Sequence, residues 1–105
     1  MAEKKKTTRH EERSAASDSR RQLRQARERT ERVEREVAEL EAEVGALTAQ
    51  LDDPELYTRP GGVEEAHRLG ARLEVVRSQL DLALAIWEEE TASLESLERA
   101  TISSR

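Results

Sequence analysis

Residues 51–63 read LDDPELYTRPGGV, and this stretch decides the fold. It holds two prolines, two adjacent glycines and two aspartates inside a chain that otherwise reads as helix from Ser14 to Ala100. Pro54 and Pro60 lack a backbone donor and push the residue before them out of the helical region. Gly61-Gly62 can take the positive φ that a sharp reversal often needs. Heptad-patterned sequence lies on both sides, so the stretch is expected to be the tip of a helical hairpin, with Pro54, Leu56, Tyr57, Pro60 and Gly61 shaping it. Leu56-Tyr57 is expected to fold back and plug the end of the hairpin.

Working back from the tip, Leu23, Ala26, Thr30, Val33, Val37, Leu40, Val44, Leu47 and Leu51 follow an unbroken 3-4 spacing. That is the narrow apolar seam of a coiled coil. Working forward, Ala66, Leu69, Leu73, Val76, Leu80, Ala83, Trp87, Glu90, Leu94, Leu97 and Thr101 do the same, with Glu90 the one charged residue in the line. The fold expected is all-α: a two-helix antiparallel coiled-coil hairpin with a disordered basic N-terminal arm. The arm covers residues 1–13, helix 1 about 14–51, the tip 52–62 and helix 2 about 63–101, so the hairpin occupies 14–103. Leu40, Leu47, Leu73, Leu80 and Trp87 are the expected core. Folding near Tyr57 sets Leu40 opposite Val76 or Leu80, and Trp87 opposite Val33 or Ala26. It also brings Glu41 to Arg77, Glu43 to Arg72 and Arg20 to Glu98. Exposed pairs of this kind contribute about 0.2–1 kcal/mol each and select orientation more than they stabilise.

Composition agrees with this reading. The 105 residues are 39% charged, 35% hydrophobic and 2% aromatic, with no Phe and no Cys, too few large apolar side chains for a globular core. No disulfide, thiolate metal site or thiol nucleophile can form, and a cytoplasmic location fits. The longest apolar run, Leu82 to Trp87, is far short of a membrane span. Charge is uneven: residues 1–35 carry twelve Lys/Arg against seven Asp/Glu, and residues 36–105 carry six against sixteen.

No catalytic or metal-binding constellation is visible. His10 and His67 have no companion at ligand spacing. Glu88-Glu89-Glu90 reads as a solvated acidic face, and neither GxxxxGK[ST] nor GxGxxG occurs. The arginines carry the sharper signal. Arg20, Arg21, Arg24 and Arg27, with Arg29, Arg32 and Arg35, are helix-borne guanidiniums preceded by Lys4, Lys5 and Lys6. Nucleic-acid phosphates attract such a surface by counterion release. The arginines spread over about half the helical wheel, and Glu28 and Glu31 share their sector. Two readings stay open: contact with nucleic acid, or internal neutralisation by Glu88, Glu89, Glu90, Glu95 and Glu98. A third, a structural or oligomerising coiled coil with a homodimer as partner, follows from the apolar breadth at Leu82, Leu84 and Ile86.

Asp53, Pro54, Leu56 and Tyr57 at the tip, with Trp87-Glu88 and its acidic, leucine-containing tail, give the chain a family likeness. It resembles the C-terminal coiled-coil domain of the ABC-F ATP-binding-cassette proteins, the Uup-like group. The likeness covers about residues 3–100. It implies an accessory antiparallel coiled coil on a soluble ATPase that acts at the ribosome in translation. It implies DNA or ribosomal RNA as partner, together with the ATPase cassettes of the parent protein. The chain itself has no Walker or signature motif. The resemblance therefore implies a non-enzyme with no cofactor of its own, ATP and Mg belonging to the parent, and an excised domain or a stand-alone relative. The L-x-D-P-x-aromatic tip, with Arg68-Leu69-Gly70, also resembles the helical N-terminal region of peptide-chain release factors, but no GGQ tripeptide is present.

Overall fold

A computed structural model describes the backbone of residues 2–103 and the side chains of residues 10–103. Three helices follow in order: α1 (Ala2–Leu51), α2 (Pro54–Thr58) and α3 (Gly62–Ser103). The fold is the all-α helical hairpin expected, with α1 and α3 packing against each other. α1 starts at Ala2, twelve residues ahead of the start expected near 14, and no Gly or Pro interrupts the sequence before Gly45. Glu, Lys and Arg lose little rotamer freedom in a helix, so a polar segment without breakers can continue one. The Lys4, Lys5 and Lys6 side chains of the expected basic arm lie outside the described residues.

The tip has more structure than a turn. Asp53, in extended conformation, caps α2 by accepting a 3.0 Å hydrogen bond on Oδ1 from the Glu55 amide, and Pro54 takes the first helical position, where no donor is needed. α2 aims Leu56 inward until it is 1% exposed. Burying a leucine this fully contributes about 1.5–3 kcal/mol. The expected plug is thus Leu56 alone. The Tyr57 ring stays half-exposed, and its hydroxyl donates 2.7 Å to the Leu51 carbonyl, one of the acceptors left over at the end of α1. Thr58 Oγ1 donates back to the Glu55 carbonyl at 3.1 Å.

The reversal that follows uses its two glycines differently. Gly61 holds a φ of +73°, where a side chain would be strained. Gly62 has an ordinary φ but is buried against α2, and a Cβ there would overlap the Leu56 carbonyl. Its amide donates 3.0 Å to the Arg59 carbonyl as α3 begins.

The chain divides into two compact units. One, Arg32–Trp87, contains the tip and the stronger core. Leu47, Leu73 and Val76 are buried there, with Leu40, Val44, Leu51 and Leu69 packed against them. Leu80 and Trp87 are half-buried, and Ala83 is buried. Arg72 reaches from α3 to Glu43 on α1 at 2.8 Å, while Glu41 and Arg77 form no ion pair. Trp87 lines a shallow groove of about 300 Å³ with Glu34, Val37, Glu41 and Leu84, and its indole N–H donates 3.3 Å to Glu34 Oε1. Val37 is a helical turn nearer the tip than Val33, the level expected for the indole.

The other unit, Met1–Glu31 with Glu88–Arg105, has a small and polar seam. Ala26 and Thr30 are buried, with Leu23, Leu94, Leu97 and Thr101 half-buried. Thr30 and Thr101 satisfy their hydroxyls on the carbonyls four residues back, each at 2.8 Å. Glu90, the charge in the seam, is held by Arg29 Nε at 3.0 Å. A carboxylate at a half-buried position needs such a partner, since leaving it unpaired costs more than the pair returns.

Candidate nucleic-acid interface

The four arginines singled out from sequence all lie on α1 in the Met1–Glu31 unit, and all are exposed. Arg20, Arg24 and Arg27 stand at i, i+4 and i+7, so they share one face of α1 and span about 10 Å along it. Arg21 is rotated about 100° from Arg20 and points off that face. The stripe is continuous because each of these positions flanks the Leu23–Ala26–Thr30 seam without entering it. Its guanidiniums ride on flexible stems at the solvent edge of the helix pair.

The acidic segment of α3 neutralises this stripe only at its edge. Glu98 comes within 3.9 Å of Arg27 Nε, two helical turns along from Arg20, with which the sequence had matched it. Both side chains remain largely exposed, 57% for Arg27 and 41% for Glu98, so the attraction is screened and weak. The other contact to α3 is made by Arg29, which was outside the proposed set. Glu88, Glu89 and Glu95 form no ion pair among the described residues, and Arg20, Arg21 and Arg24 form none either. The signal for Arg29 was present in the sequence. A glutamate on a seam calls for a cation one position off the facing seam, and Arg29 precedes Thr30.

Other chemistry is limited by the same surfaces. Among the described residues no group of three or more His, Cys, Asp or Glu is placed to hold a metal ion. The two glycines of the tip lead into α3, and Gly62 is shut beneath the Leu56 carbonyl. His67 lies at the tip beside Leu51, Tyr57, Val63 and Ala66, away from the arginines in sequence and lining an apolar groove. Among the described residues no helix is long and apolar enough to cross a membrane.

Tyr57 and Trp87, the two aromatic residues of the sequence, both belong to the Arg32–Trp87 unit. No curated protein and no solved structure matches the chain. A family model does: that of the ABC transporter C-terminal domain, over residues 20–90.

Proposed function

The chain belongs to the ABC transporter C-terminal domain family, and from that premise we propose that it is the non-catalytic accessory domain of an ABC-F type ATPase, contributing DNA or ribosomal RNA binding. The observation that carries the reading is the exposed face of Arg20, Arg24 and Arg27, with Arg21 to one side of it, of which Arg27 alone forms an ion pair among the described residues. Three or four guanidiniums on one short stretch of helix suit a phosphate backbone, which offers a row of anions and demands no base-specific geometry. The paired helices hold that face at a fixed place relative to the cassettes, which bind ATP and Mg in the parent protein. The setting is cytoplasmic and ribosomal. The Uup-like group is the branch favoured by Asp53, Pro54, Leu56 and Tyr57 at the tip and by Trp87-Glu88.

The reading is tested by titrating the chain against duplex DNA and ribosomal RNA at rising salt. Four phosphate contacts predict a slope of log K against log salt near −3.6 on duplex DNA, which is about a hundredfold loss between 50 and 200 mM. Absence of binding at low salt, or binding indifferent to salt, removes the electrostatic mechanism.

A further inference from the structure

α3 carries a second heptad-spaced line besides the seam that meets α1. Val75, Gln79, Leu82 and Ile86 stand at i, i+4, i+7 and i+11, displaced about 100–140° round the helix from Leu73, Val76, Leu80 and Ala83. Its aliphatic members are unusually open: Val75 is 49% exposed, Leu82 64% and Ile86 39%. Single exposed aliphatics are ordinary, but three on one 3-4 line form a strip able to seat another helix.

The order of residues along the line identifies the occupant. About its midpoint, between Gln79 and Leu82, reversing the line pairs Val75 with Ile86, aliphatic with aliphatic, and Gln79 with Leu82. In sequence, three residues before Val75 stands Arg72 and three residues after Ile86 stands Glu89. A second copy laid antiparallel therefore meets Val75 with Ile86 on either side of a centre where Gln79 meets Leu82, and Arg72 with Glu89 at both ends. A parallel copy would set Arg72 against Arg72 and Glu89 against Glu89. Self-complementarity of this kind is what a two-fold interface requires, because the same patch serves both sides. Arg72 keeps its bond to Glu43, yet half of its side chain is exposed, and Glu89 is exposed with no ion pair. We propose that this face of α3 docks antiparallel on the same face of a second copy of the chain. The proposal does not depend on the nucleic-acid reading.

The absence of native cysteine makes cross-linking clean. The doubly substituted Val75→Cys/Ile86→Cys chain, and a mixture of the two single variants, should give a covalent dimer on mild oxidation, while each single variant alone gives little. Sedimentation of the unmodified chain should show a dimer whose fraction rises with concentration. Leu82→Glu with Ile86→Glu should abolish it, with helicity by circular dichroism unchanged because both side chains are outside the α1 seam. A chain that is monomeric at every concentration, a dimer that survives the double Glu variant, or efficient cross-linking of Val75→Cys alone each overturns the proposal.

Discussion

Gly62→Ala should lower the stability of the hairpin by about 2–3 kcal/mol, a large loss for a chain this small. The added methyl has nowhere to go. Its position coincides with the Leu56 carbonyl, which is backbone and cannot rotate aside as a side-chain end would. Relief requires α2 to move off the start of α3, and that motion draws Leu56 out of its buried site. A drop of that size corresponds to a melting temperature lower by roughly 10–20 °C for a domain of about a hundred residues. Gly45→Ala is the matched control. Gly45 is exposed in the middle of α1 with open space around the added methyl, so alanine should stabilise by up to about 1 kcal/mol. Thermal melts of the two variants should move in opposite directions. If both shift alike, the close approach of α2 to α3 is wrong.

Changing Arg20, Arg21, Arg24 and Arg27 together to Glu should abolish nucleic-acid binding. Each substitution replaces an attraction to phosphate with a repulsion, and Arg27 alone is near a carboxylate whose loss the fold would feel. That pair is exposed and worth at most about 1 kcal/mol, and Glu is as good a helix former as Arg, so helicity should persist. The same four positions changed to Gln should weaken binding and flatten its salt dependence without reversing it. Retention of affinity in the Glu variant would place the binding surface elsewhere or deny it altogether.

The hairpin was legible because its signals are local and periodic. Proline and glycine punctuate one short stretch, and two seams on a 3-4 spacing require a partner for each helix. Every seam position, from Leu23 to Leu51 and from Ala66 to Thr101, is buried or half-buried. What the sequence hid depends on contacts between separated segments. Gly62 looked like half of a flexible reversal, whereas its lack of a side chain is needed for close packing of α2 on α3. Leu56 and Tyr57 are neighbours of similar hydrophobicity, and only the direction of α2 decides that one is buried and the other tethered by its hydroxyl. Arg20 and Arg27 lie on the same face of one helix, so the helical wheel cannot choose between them as partner for Glu98. The arginine stripe itself was visible. How little of it α3 neutralises was not, since that depends on which long side chains reach across.

The fold-back is tested most directly by a distance across the end remote from the tip. Spin labels introduced by Arg27→Cys and Glu98→Cys occupy positions that approach within 3.9 Å at their charged ends, both in the Met1–Glu31 and Glu88–Arg105 unit. Paired helices predict a label separation of roughly 10–30 Å, set by an interaxial distance of 8–10 Å plus the label arms. An unbroken rod through the proline-glycine segment would hold the same labels about 100 Å apart at 1.5 Å per residue, and that result would contradict the account.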